Sequence, residues 1–166
     1  MGLKDGLLPE FDHEMGVTRK LLQRVPDADL GWKPHEKSFS LGSLAAHLAQ
    51  IPHWSAAILD QSSYDLDTPA PDDRQPPTRG ADVVAAFDRS VAAARARLDG
   101  KSDGELMAPW TLKKGGHDMF TLPAVAAFKS FVVNHSIHHR GQLSVYLRLR
   151  NVPLPAIYGP SADEPM

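Results

Sequence analysis

The chain predicts an all-α fold, a four-helix bundle with a long helix 2–helix 3 connection and a short hairpin before helix 4. Three observations carry this. Apolar residues recur every three or four positions in four separate stretches, the period of a helix burying one face. Capping residues and prolines punctuate the ends of those stretches. Between the second and third, the residues from 61 to 80 lose all periodicity and gather four prolines and several aspartates. At 166 residues, with 42% hydrophobic and 23% charged, the chain is long enough for one domain, residues 1–166, with a sizeable core.

The first helix is expected over about residues 4–24, with Leu8, Phe11, Met15, Thr18 and Leu22 inward and Leu7 and Leu21 widening that face. Pro26 ends it. Residues 31–38 then form an ordered connection in which Trp32 packs over the bundle and His35 faces solvent. Ser38 or Ser40 caps the second helix, which carries Leu41, Leu44, His47, Leu48, Ile51, Trp54 and Ile58 at bundle spacing, with Pro52 bending it. The 61–80 stretch reads as a long loop of the kind that borders a site or a partner subunit. The third helix, about residues 81–98, buries Val84, Phe87, Val91, Ala94 and Leu98. Gly115 and Gly116 mark a tight turn within residues 106–120, which gives the hairpin. Thr121 caps the fourth helix, about residues 122–150, with Pro123 in its first turn and Asn151 at its end. Beyond it, Ile157 and Tyr158 anchor an irregular tail.

The fourth helix holds the chemistry. His135 and His139 are four residues apart, so they stand one above the other on one helical face. That face is otherwise apolar, running through Val125, Phe128 and Val132 to Leu143 and Tyr146. Imidazoles inside a core need partners for their nitrogens, and a metal ion satisfies both. His47 interrupts the inner stripe of the second helix in the same way and supplies a third ligand. Three imidazoles leave coordination positions for water or substrate, the usual arrangement of a catalytic site, and zinc, nickel and iron all accept them. His138 lies about 60° around the helix at 100° per residue and is a weaker candidate. His53, about 120° around its helix from His47, is a weaker candidate too, while His13 reads as a surface or packing residue and His117 as exposed. Gln142 and Asn134 are candidates to orient the ligands, Arg140 reads as a surface ion pair, Tyr146 as core, and Glu14 and Asp12 as carboxylates off the best apolar face of the first helix. No catalytic residue is assigned.

The bulk properties exclude several classes. The formal net charge of −2, with both signs interspersed, offers no basic patch for nucleic acid. The absence of cysteine removes disulfides, thiolate-bound zinc and a cysteine nucleophile. No stretch approaches the roughly 18 apolar residues of a membrane span, and no targeting segment is evident, so a cytoplasmic protein is expected.

The stretch from His135 to Leu143, followed by Tyr158-Gly159-Pro160-Ser161 and joined by Leu44-Ala45-Ala46-His47-Leu48, resembles the DinB-like proteins. The resemblance covers nearly the whole chain. It implies a four-helix bundle, commonly a homodimer, with a divalent metal held by His47, His135 and His139. Some members join bacillithiol or mycothiol to electrophiles, which implies a thiol S-transferase acting on a small-molecule substrate. A metal-dependent hydrolase using metal-bound water, or a metal-binding stress-associated protein without chemistry, are the alternatives the resemblance also carries.

Overall fold

The computed structural model describes residues 2–69 and 77–165. Helix α1 spans Leu3–Leu22, α2 Leu41–Gln50, α3 Trp54–Leu59, α4 Gly80–Asp99 and α5 Asp103–Met107. Strand β1 is Ser63–Asp65, β2 Pro109–Lys114 and β3 His117–Pro123, and the last long helical run is built from α6 (Ala124–Phe128), a π-helical segment (Lys129–Asn134) and α7 (His135–Leu149). Four long helical units, α1, α2 with α3, α4, and α6 through α7, enclose one core centred on Phe11, Leu21, Leu44, Leu48, Phe87, Phe128 and Leu143. Among the described residues, no helix is long and apolar enough to cross a membrane.

Where the sequence has clear caps, the elements begin as expected. The Ser40 side chain accepts the Ser43 backbone N–H at 3.1 Å and so starts α2. The second helix is not continuous. Pro52 has no amide hydrogen to donate, and a single 3-10 turn over Ile51–His53 separates α2 from α3.

The hairpin is longer than the sequence reading allowed. Gly115 and Gly116 take positive φ of 57° and 77°, the twist a two-residue hairpin turn requires. Strand β3 continues to Pro123, so Thr121 does not cap a helix. It pairs with Thr111 across the ladder, and the two hydroxyls share a hydrogen bond of 2.8 Å. The fourth helical run therefore starts at Ala124, two residues later than expected.

The beginning of the 61–80 loop is a strand as well. Strand β1 pairs in parallel with β2, giving the order β1-β2-β3. Its last residue, Asp65, accepts the N–H groups of Gly115 at 3.1 Å and Gly116 at 2.6 Å, tying the loop to the hairpin turn. Residues 70–76 of that loop lie outside the described residues. One face of the sheet carries the cross-strand row Tyr64, Leu112 and Phe120 and lies over α3 and the π-helical segment. Trp110, on the same face as Leu112, is fully buried, and its indole N–H donates to the Ala57 carbonyl at 2.8 Å.

Candidate metal centre

Helices α2 and α7 pack against each other, and their seam is where the three histidines meet. His47 Nε2 lies 3.4 Å from His135 Nε2, and His139 Nε2 lies 2.9 Å from His135 Nε2. One nitrogen from each ring falls within 4.8 Å of the others. The rings are half-buried and cross steeply, His47 meeting His139 at 4.6 Å and 90°. Crossed rings point their nitrogens inward toward a shared point.

The outer nitrogens decide what those inner ones carry. His139 Nδ1 lies 2.8 Å from Gln142 Oε1, and with Nδ1 as the donor of that bond Nε2 presents a lone pair inward. The same amide reaches a second imidazole, its Nε2 lying 3.1 Å from His138 Nε2. The His135 ring donates to the Phe131 carbonyl, and because its Nε2 faces the other histidines, the donating atom is Nδ1. The two Nε2 atoms meet across 2.9 Å, a pairing that a single shared proton satisfies and that a cation held by both lone pairs would satisfy equally. Burial pushes the pKa of His135 down, helped by His139. Burial also pushes His139 down, against the opposing hydrogen bond to Gln142. Both imidazoles are thus biased toward the neutral form that metals require.

The donor set fits a metal. Zinc–imidazole bonds of 2.0–2.1 Å in a tetrahedron place ligand nitrogens roughly 3.3 Å apart. The separations of 3.4 Å and 2.9 Å bracket that value. Outer hydrogen bonds from ligand imidazoles to a side-chain amide and a main-chain carbonyl are the kind that fix tautomer and orientation at such centres.

Other residues singled out from sequence fall elsewhere. His138 is exposed and reaches the site only through Gln142. His13, His35, His53 and His117 are exposed, as is Asn134. Trp32 packs edge-on against Tyr146 with centroids 5.7 Å apart. Arg140 corrects the expectation of a surface ion pair. It is 1% exposed, and its Nη2 lies 2.7 Å from Glu14 Oε2. Glu14 is buried too, whereas Asp12 sits on the surface paired with Arg95.

An aromatic wall adjoins the histidines. Phe131, from the π-helical segment, stacks on Trp54 with centroids 5.5 Å apart and on Phe120 at 6.2 Å, and Tyr64 meets Trp54 edge-on at 5.1 Å. Phe131 precedes His135 by about one helical turn on the same run. π-helical segments of this kind are often found at functional sites.

Comparison with known proteins agrees with this architecture. A family model described as the DinB superfamily matches residues 10–143. A relative from Bacillus subtilis, the uncharacterized protein YrdA, is 27% identical over 163 residues, covering 96% of this chain and 90% of the relative. The crystal structure of a DinB-like protein from Bacillus cereus superposes with a TM-score of 0.70 at 21% identity, covering 93% of this chain and 97% of that one. The crystal structure of the DinB-like protein YjoA from Bacillus subtilis gives 0.69 at 22% identity, over 90% and 96% of the two chains. At that identity the two structures speak for the fold. The family model covers most of the chain, residues 10–143: the chain belongs to the DinB superfamily.

Proposed function

We propose that the chain is a metal-dependent thiol S-transferase, in which a divalent metal (zinc, nickel or iron) held by His47, His135 and His139 serves a low-molecular-weight thiol such as bacillithiol or mycothiol. The observation that carries this reading is the donor set itself. Three imidazoles converge, and among the described residues no carboxylate joins them. A metal with three protein nitrogens keeps a position for a reactant, and there it acts as a Lewis acid that lowers the pKa of a thiol.

The chain's own residues account for the rest. Gln142 and the Phe131 carbonyl would orient the rings of His139 and His135 so that their Nε2 atoms face the metal. Without a cysteine in the sequence, the sulfur nucleophile arrives on the cosubstrate. The thiol's proton would pass to solvent, and a new S–C bond would then form as the C–X bond to the leaving group breaks, the leaving group departing with the electron pair. The wall of Trp54, Phe131, Phe120 and Tyr64 offers flat, half-exposed apolar surface for that small molecule. Glu14, the nearest thing to a general base in the sequence, is committed to Arg140 and Tyr158, which favours thiol activation over water activation. A cytoplasmic homodimer completes the reading.

The test is cobalt substitution followed by titration with bacillithiol, mycothiol and glutathione. A sulfur-to-cobalt charge-transfer band from one thiol, absent from the His47→Ala, His135→Ala and His139→Ala variants, is expected. Bound cobalt that shows no such band with any of the three would contradict the transferase reading.

A further inference from the structure

Behind the histidines, on the side of α7 facing α1, sits a buried charged cluster that the proposed chemistry does not use. Arg140 Nη2 lies 2.7 Å from Glu14 Oε2 and donates to the Tyr158 hydroxyl at 2.6 Å. That hydroxyl in turn donates to Glu14 Oε2 at 2.8 Å, closing a three-membered ring of hydrogen bonds. Arg140 Nη1 donates to the Glu14 carbonyl at 3.0 Å and to Thr18 Oγ1 at 3.3 Å. Thr18 can accept there because its own proton goes to the same Glu14 carbonyl at 2.8 Å. One guanidinium thus grips a full turn of α1 and the C-terminal tail together.

Tyr158 is an unusual member. Its residue is 62% exposed, yet its hydroxyl points inward to the buried pair, and the Arg140 guanidinium lies 5.0 Å from its ring centroid. The tail that carries it is fastened on either side. Glu164 pairs with Arg24, and Asp163 with Arg148 at 2.5 Å while also accepting the Leu154 N–H at 2.9 Å. The tail therefore presses Tyr158 onto a charge pair that would otherwise lack its third partner.

Arg140 follows His139 directly in sequence, and a step of about 100° turns its side chain away from the histidine seam. Holding Arg140 from behind consequently fixes the rotation of α7 about its axis. With Cα atoms about 2.3 Å from the axis and the imidazole extending beyond them, a 10° rotation displaces Nε2 by on the order of 1 Å. Metal–ligand distances tolerate only about ±0.2 Å. The grip on Arg140 is therefore as consequential for the centre as the bonds made to the imidazoles themselves.

We propose that Arg140, Glu14 and Tyr158 form a latch by which the C-terminal tail sets the rotation of α7 and so positions His135 and His139 for metal binding. All three are positioning residues. The inference rests on the metal reading given above, and deepens it by making the tail a determinant of metal affinity.

The experiment is calorimetric titration of the metal-free full-length protein with zinc, alongside cobalt absorption spectra, for the unaltered chain, Tyr158→Phe and Glu14→Gln. Tyr158→Phe removes one hydroxyl from a largely exposed ring and should leave the fold in place. At temperatures well below unfolding, a purely structural role would lower the melting temperature without changing the affinity of the folded protein. The latch predicts zinc binding at least about tenfold weaker in Tyr158→Phe, with altered cobalt ligand-field bands, and a larger loss in Glu14→Gln. If Glu14→Gln does not fold, Tyr158→Phe decides. Unchanged affinity and spectrum in a folded Tyr158→Phe would overturn the latch while leaving the metal reading standing. Failure of the unaltered chain to bind zinc or cobalt would overturn the metal reading and the latch with it.

Discussion

His135 and His139 engage both ends of their rings: the Phe131 carbonyl and Gln142 meet them on the outside, and their inner nitrogens meet across 2.9 Å. Their pKa values lie below the ordinary histidine range, chiefly through burial. In the unfolded chain both titrate near 6.5. Between that value and the lower folded pKa, the unfolded state binds more protons than the folded one, so stability falls as pH falls. The metal-free protein should melt at a lower temperature at pH 5.5 than at pH 7.5. A His135→Asn, His139→Gln double variant should flatten that dependence, and an unchanged slope would count against the neutral pair. The histidines were legible as residues because they break apolar stripes. Arg140 and Glu14 were legible in principle too. Leu7, Phe11, Glu14, Thr18 and Leu21 follow a three–four spacing, as do Val133, Ser136, Arg140, Leu143 and Leu147, and each row carries one charge at its centre. An isolated charge in an apolar row reads as solvated until the facing row is known to carry its opposite, and that pairing is tertiary.

At the scale of elements, caps and turns were the readable features and strand lengths were not. Ser40 starts α2 because its hydroxyl oxygen satisfies an amide hydrogen that has no partner in the first turn. Replacing it with alanine should cost about 1 kcal/mol of stability, read by urea denaturation. A loss near zero would mean that the flanking packing alone starts the helix carrying His47. The hairpin turn was visible in its two glycines, and Asn151, at a φ of 58°, closes α7 in the left-handed conformation that Asn tolerates. Strand β1 was not visible. Its partners, Thr111 to Lys113, lie almost fifty residues away, and a three-residue strand has too short a period to register. The π-helical segment was hidden for a different reason: its side chains still read as helical, and one wide turn shifts the register without leaving a compositional mark.

The whole molecule follows from hydrophobic periodicity more completely than from any motif. The four apolar stripes fixed the number of helices and the position of the long connection, and the core assembled from them is the one described here. Periodicity alone does not say which stripes face one another. The meeting of His47 with His135 and His139 depends on α2 lying against α7, and the buried Arg140–Glu14 pair depends on α1 lying on the other side. One helix thus carries a metal-ligand face and a charged anchoring face about 100° apart, each answered by a different neighbour. The metal is proposed for the first of those faces. The most direct test is a crystal of the protein grown with zinc and measured at the zinc absorption edge. A single anomalous peak about 2.0–2.1 Å from the Nε2 atoms of His47, His135 and His139 is the expected result. A peak held by other residues, or none at this seam, would contradict it.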